Sequence, residues 1–297
     1  MITGTLRGKA DVSLAPPLPV RTLSRPHRRR THQPERHRAI FLSDMHLGTR
    51  MCQPELILAF LDAHHAETVY LVGDIVDNWH PLGRNWSSAH HKVLRRLLDL
   101  PLTGTRVVYL PGNHDSFFNV YAGSIFGGIE VEREAIHQTA SGRRLLVTHG
   151  DQCDVFAHRA PVLARIGSLI ETGARTADAA HRVMSRAVGL PEWHGITRQI
   201  ARTNAFIRNY DRFEERLCNL AVSRGADGIV CGHFHQPALH DRHGTIYGNC
   251  GDWAEHGTGL VEAFDGQLSL LSVSQDIPAL VTPLVGCPTV NRCARAI

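Results

Sequence analysis

Five short runs in this chain bring carboxylate, imidazole and amide side chains together: Asp44-Met45-His46, Gly73-Asp74-Ile75-Val76-Asp77, Gly112-Asn113-His114-Asp115, His149-Gly150-Asp151 and Gly232-His233-Phe234-His235. Carboxylate oxygen and neutral imidazole nitrogen suit divalent ions of the manganese, iron, nickel and zinc group. Calcium and magnesium prefer oxygen alone. The seven donors Asp44, His46, Asp74, Asn113, His149, His233 and His235 are too many for one ion. They suit two ions sharing a carboxylate, roughly 3.5–4 Å apart, as in two-metal hydrolytic sites. Any one run alone reads equally well as a polar turn or a satisfied core histidine.

What raises the five above coincidence is that each follows an apolar run of strand character. Residues 39–43 read as a strand buried on both faces, 53–65 as a helix, and 68–72 as the next strand. Strand, helix and strand make a βαβ unit with a parallel pair and a right-handed crossover. A second helix over 86–100 leads into a strand at Arg106–Leu110, which Pro111-Gly112 ends. Further strands are expected at 143–148 and Gly228–Cys231, followed by hairpins pairing 238–241 with 245–248 and 259–264 with 267–273. Open α/β sheets place their chemistry at such strand ends.

Between these strands, residues 155–224 show no strand pattern and read as two or three helices. Their apolar positions, among them Val162, Leu163, Ile166, Ile200, Phe206, Phe213 and Leu217, are flanked by many arginines. This pattern fits a cap that shelters acyl chains beside a phosphorylated head group or rests on an anionic membrane. It fits equally a helical pair packed on the main body with its arginines in water.

A chain of 297 residues with 43% hydrophobic content can bury a sizeable core. No apolar run reaches the length of a membrane span, and the N-terminus lacks an apolar signal core, so a cytoplasmic location is expected. Seven scattered cysteines without a C-x-x-C pair suit reduced thiols. Residues 1–38 hold nine Lys or Arg against Asp11 and Glu35, a net of +7, so of the formal +4 the remaining chain carries −3. Residues 1–38 are therefore expected to be a disordered basic tail rich in Pro and Arg, and 275–297 a loosely ordered one. Residues 39–274 are expected to form the folded domain. Its net acidity argues against nucleic acid as a partner.

In order and spacing, the five runs resemble the signature blocks of the calcineurin-like metallophosphoesterases over residues 39 to about 265. The resemblance implies an α/β fold, a four-layer α/β/β/α sandwich with a helical insertion, that hydrolyses phosphate esters. By that resemblance Asp44, His46 and His235 hold one metal and Asn113, His149 and His233 the other, with Asp74 bridging. The implied ions are two divalent cations, manganese first, with iron, zinc or nickel as alternatives. They activate a hydroxide held between them by lowering the pKa of bound water. His114 is implied to assist the leaving oxygen or stabilise the equatorial oxygens, with Asp115 orienting it. Asp77 is expected either to support a ligand from behind or to cap a helix N-terminus.

Asn78-Trp79, the extension His149-Gly150-Asp151-Gln152-Cys153-Asp154 and the segment from Tyr247 to Glu255 are similar to one branch of that family, the UDP-2,3-diacylglucosamine diphosphatases of lipid A biosynthesis. That branch implies a phosphorylated lipid substrate cleaved at a pyrophosphate to UMP and 2,3-diacylglucosamine 1-phosphate, with peripheral contact to an anionic membrane. Asn78, Trp79 and Arg84 are the substrate-binding candidates. One departure bears on the substrate: the reference diphosphatases carry Arg where this chain has His114. A general nucleotide or phosphoprotein phosphoesterase is the alternative. A non-catalytic scaffold ranks lower, because all seven ligands are present.

Overall fold

In a computed structural model of the chain, residues 33–79, 85–154 and 212–273 are described. Strand β1 (Glu35–Leu42) leads through helix α1 (Pro54–Ala63) to β2 (His64–Val72), and helix α2 (Ser88–Asp99) leads to β3 (Arg106–Leu110). Proline opens α1 at its first turn, where its missing N–H costs nothing. A reciprocal cap between Ser87 and His90 opens α2. The three strands run parallel: Phe41 lies opposite Tyr70, and Tyr70 opposite Val108.

Short strands β4 (Ser124–Phe126) and β5 (Ile129–Val131) extend one edge of this sheet. Strands β11 (Thr258–Glu262) and β12 (Leu268–Ser272) extend the other, so that seven strands run in the order β12-β11-β1-β2-β3-β5-β4. A second sheet, β6-β7-β8-β10-β9, is built from β6 (Ala135–Gln138), β7 (Arg144–Val147), β8 (Gly228–Cys231), β9 (Ala238–Arg242) and β10 (Thr245–Asn249). Helix α3 (Phe213–Ser223) precedes β8.

Alternation along the strands divides the core into three apolar layers. Ile40, Leu42, Val69, Leu71 and Val107 pack with Ile57, Phe60 and Leu61 of α1 and Val93 and Leu97 of α2. Their neighbours Ala39, Phe41, Tyr70, Val72, Val108 and Leu110 meet Leu145, Val147, Val230 and Ile246 between the sheets. On the far face of the second sheet, Leu146, Ile229, Cys231 and Tyr247 meet Phe213, Leu217 and Ala221 of α3. Three apolar interlayers make four layers, the α/β/β/α sandwich expected from the sequence.

The structure departs from the sequence expectations at several boundaries. Strand β1 begins at Glu35, inside the stretch assigned to the basic tail, because it pairs with β2 from its first residue: Glu35 lies opposite His64. Strands β4, β5 and β6 were not expected. Each has three or four residues, too few for a period to register. Residues 213–223 belong to the sandwich, since the Phe213 and Leu217 stripe is core. Residues 155–211, Arg84, residues 1–32 and the tail from 274 lie outside the described residues. Cys52, Cys153, Cys218, Cys231 and Cys250 are free thiols, and burial pushes Cys52 up to about 12 and Cys218 to about 11. No helix among the described residues is long and apolar enough to cross a membrane.

One buried charge ties the two sheets together. Glu262 on β11 is fully buried and accepts from Arg38 Nη1 at 3.1 Å, His137 Nε2 on β6 at 2.7 Å and the Ala140 backbone N–H at 2.7 Å. The Tyr70 hydroxyl meets His137 Nδ1 at 3.2 Å. Removing the carboxylate strands a guanidinium and an imidazole beside apolar surface. Glu262→Ala is therefore expected to cost roughly 3–5 kcal/mol in denaturant unfolding; a loss within a few tenths would show that the network is dispensable.

Candidate metal centre

All seven candidate ligands gather where β1, β2, β3, β7 and β8 end. Asp44, His46, Asp74 and His149 are buried, while Asn113, His233 and His235 are half-buried and form the open side. Backbone bonds lock the loops together: Asp44 N–H donates to the Gly73 carbonyl at 3.0 Å, His46 N–H to Asp74 at 2.9 Å, and Gly232 N–H to His149 at 3.0 Å. Among the described residues seven non-glycine positions have left-handed φ, and five are candidate ligands: Asp44, His46, Asp74, His233 and His235. Each such residue costs of order 1 kcal/mol, so strain is concentrated at the strand ends.

The two buried aspartates each fasten one oxygen and present the other. Asp44 Oδ2 accepts from the His233 N–H at 3.1 Å, and Asp74 Oδ1 from the His114 N–H at 2.8 Å. Asp44 Oδ1 is buried without a hydrogen-bond partner, 3.2 Å from His235 Nε2. Asp74 Oδ2 lies 3.3 Å from His149 Nε2.

Each of the four histidines has one ring nitrogen engaged on the outside. His46 Nδ1 meets Asp77 Oδ2 at 3.3 Å, His149 Nδ1 donates to the Val72 carbonyl at 3.0 Å, His233 Nε2 meets Asp154 Oδ2 at 2.9 Å, and His235 Nδ1 stands 3.5 Å from Asp252 Oδ2. These contacts put the ring proton outward and the lone pair inward. The inward nitrogens then crowd against other acceptors. His46 Nε2 and His235 Nε2 are 3.2 Å apart beside Asp44 Oδ1, and Asn113 Oδ1 is 3.2 Å from His149 Nε2 and 3.0 Å from His233 Nδ1. Acceptors facing acceptors repel unless cations sit among them. The donor set therefore fits two divalent ions, one at Asp44, His46 and His235 and one at Asn113, His149 and His233, with Asp74 between them. Asp44, His46 and His235 also have ligand atoms within 4.8 Å of one another, as do Asp44, Asp74 and His149.

Charge follows the same logic. Burial alone would raise the Asp44 and Asp74 carboxyls, but His235 for the first and His149 and His114 for the second hold both below the usual carboxylate range. Burial lowers His149, yet the neighbouring Asp74 charge more than offsets it and raises the ring well above its ordinary value. Without a cation the site thus favours a proton in its place, so binding metal must release protons.

His114, outside the seven, adjoins them: its ligand atom lies within 4.8 Å of those of His46 and Asp74, and its ring centroid is 4.7 Å from that of His46. Its Nδ1 meets Asp77 Oδ2 at 2.8 Å, its Nε2 is 3.9 Å from Asp74 Oδ2, and Trp79 stacks on the ring at 3.9 Å between centroids with 23° between planes. The partner that orients the ring is thus Asp77. Asp115, given that role from the sequence, instead braces backbone: its carboxylate accepts from the N–H groups of Asp74, Ile75, Val76 and Gly112 and from the Tyr109 hydroxyl. Burial first, then the Asp74 charge, raises its pKa. The other oxygen of Asp77, Oδ1, accepts from the Trp79 N–H at 2.9 Å, and residues 80–84, where a helix capped by it would run, lie outside the described residues.

Of the substrate-binding candidates, Trp79 faces the site and donates from Nε1 to the Asn113 carbonyl at 3.1 Å. Asn78 is exposed and touches the site through its backbone N–H, bonded to the His114 carbonyl at 3.1 Å. Asp154 and Asp252 were given no role from the sequence. Asp252 also gathers the N–H groups of residues 254–256. Their identity as acids two to five residues from a ligand block or beside a buried Trp253 was visible; their aim was not.

The profile of the family described as calcineurin-like phosphoesterase matches residues 37–237. A protein named UDP-2,3-diacylglucosamine hydrolase from Pectobacterium carotovorum is 25% identical over 252 residues, covering 78% of this chain and 98% of its own length. Another of that name from Chromohalobacter salexigens is 30% identical over 226 residues, covering 68% and 81%. Among solved structures, Yfce, a phosphoesterase from E. coli, aligns with a TM-score of 0.37 at 16% identity, covering 80% of this chain and 99% of its own.

Two substitutions separate the acids. Asp77→Asn is expected to lower kcat by about a hundredfold with the melting temperature nearly unchanged, whereas Asp115→Asn is expected to destabilise by about 1–3 kcal/mol. The reverse pattern would return the orienting role to Asp115. A Cβ at Gly112 would overlap Asp74 Oδ1 and the His149 ring. Gly112→Ala should therefore lose bound metal, counted by elemental analysis, while circular dichroism still reports a folded chain.

Proposed function

This chain belongs to the calcineurin-like phosphoesterase family and is a metal-dependent phosphoesterase, and from that premise we propose that it hydrolyses the pyrophosphate of UDP-2,3-diacylglucosamine or a close analogue, releasing UMP and 2,3-diacylglucosamine 1-phosphate. The observation that carries the reading is the pair of acceptor clusters joined through Asp74, with His114 Nε2 beside them. In this reading Asp44, His46 and His235 hold one ion, Asn113, His149 and His233 the other, and Asp74 serves both. Bound divalent cations, manganese first among them, lower the pKa of water and neutralise charge on phosphoryl oxygens.

The chain's own residues do the rest. Asp77 accepts a hydrogen bond from Nδ1–H of His114, which keeps that proton on the ring and turns Nε2 toward the substrate position. Nε2 then either delivers a proton to the leaving oxygen or donates to a phosphoryl oxygen as charge builds there. Trp79 covers one face of the ring and excludes water from it. The open side at Asn113, His233 and His235 admits the pyrophosphate.

The names of the relatives and the similarity of the 78–79 and 247–255 segments to the diphosphatase branch support the lipid-linked substrate. Such a substrate carries acyl chains, so turnover at an anionic membrane surface is part of the proposal. His114, standing where the reference diphosphatases have Arg, favours the second reading, a general phosphoesterase.

Incubation of the manganese-loaded chain with UDP-2,3-diacylglucosamine is expected to release UMP, and His114→Ala to slow release by about 10²–10³-fold. A deacylated substrate is expected to be turned over far more slowly. Equal rates with and without acyl chains would favour the general phosphoesterase, and no UMP release by a chain holding two ions would sink the lipid assignment.

A further inference from the structure

We propose a third metal site, remote from the catalytic centre, formed by Glu35, His37 and His64 where β1 and β2 begin. His37 Nε2 lies 3.0 Å from His64 Nδ1, and a Glu35 carboxylate oxygen lies 4.0 Å from the same His64 nitrogen. Ligand atoms of all three fall within 4.8 Å of one another. A tetrahedral ion with zinc–nitrogen bonds of roughly 2.0–2.1 Å sets its ligand atoms roughly 3.3 Å apart, a separation that the two distances bracket. The catalytic ligands sit at the opposite ends of these strands. His37 and Asp44 are seven positions apart, or roughly 23 Å at about 3.3 Å per residue, so the two centres share no ligand.

The chemistry of the three donors is that of a zinc-type site. Both imidazoles are almost wholly buried, His37 at 4% exposure and His64 at 3%, between the strand starts and the Phe60 ring, 4.6 Å from His64. The outer nitrogen of His64, Nε2, is buried with no hydrogen-bond partner, so nothing there would stabilise a charged ring. Glu35 is exposed and supplies the one negative charge. Two nitrogens and a carboxylate suit zinc or a neighbouring transition ion and leave a fourth position for water.

Parallel pairing builds the juxtaposition. Glu35 is in register with His64, and His37 with Ala66, which brings residues 35 and 37 of one strand against the first residue of the next. An ion there would clamp the starts of the two central strands, where helix α1 passes directly into β2. The competing account is a plain hydrogen bond between neutral imidazoles.

The test is the number of zinc equivalents retained by the full chain after chelation, reloading and desalting. The parent is expected to hold one equivalent more than His37→Ala and one more than Glu35→Gln, with phosphoesterase turnover on a simple phosphodiester preserved in both. Because Glu35 is exposed, its variant should fold, and the chelated parent and Glu35→Gln should melt together. Zinc should raise the melting temperature of the parent more than that of either variant. Equal zinc content in the parent and the two variants would overturn the site and leave the hydrogen bond as the whole interaction.

Discussion

Two clusters of hydrogen-bond acceptors, turned inward on one another, are the constraint on which this structure rests. Asp44 Oδ1, His46 Nε2 and His235 Nε2 form one cluster, and Asn113 Oδ1, His149 Nε2 and His233 Nδ1 the other, with Asp74 between them. Such an arrangement is unfavourable in an empty protein interior and favourable around cations. It survives because its second layer of bonds is directed outward: Asp77, Asp154, Asp252 and the Val72 carbonyl each hold the ring nitrogen that points away from the clusters.

The sandwich makes that arrangement affordable. Three apolar interlayers fix five strand ends on one rim, and those ends then tolerate left-handed backbone at five ligand residues. Glycine is required where backbone passes close to ligands. At Gly112 and Gly232 a Cβ would collide with Asp74 and Asp44, so neither strand end could approach its aspartate with any other residue. Asp115 completes the rim by gathering the loose N–H groups that follow β2, which explains why a carboxylate one residue from His114 takes no part in orienting its ring.

Much of this was legible in the residues. The apolar runs of β1, β3 and β8 and the polar runs after them appear where expected, because a strand buried on both faces has an unambiguous continuous pattern. The seven candidate ligands, which the structure gathers at one rim, were readable because each belongs to a short contiguous run. Strands β4, β5 and β6 were not, being too short to show a period and held by pairing with β3, with each other and with β7. The start of β1 at Glu35 was hidden as well, since its charged first residues resemble the tail and are ordered by β2.

By itself the sequence determined which atoms are available for chemistry and in what order they meet the strand ends, because residue type and strand periodicity are local properties. Only the tertiary structure decided how the acids divide their labour. On paper Asp115 adjoins His114 while Asp77 lies 37 positions away. The fold turns the distant one onto the ring and the adjacent one onto the backbone, since adjacent side chains in this turn diverge while β2 and β3 run side by side and bring their ends together. The same parallel pairing sets Glu35 and His37 against His64, a meeting that no spacing in the chain announces.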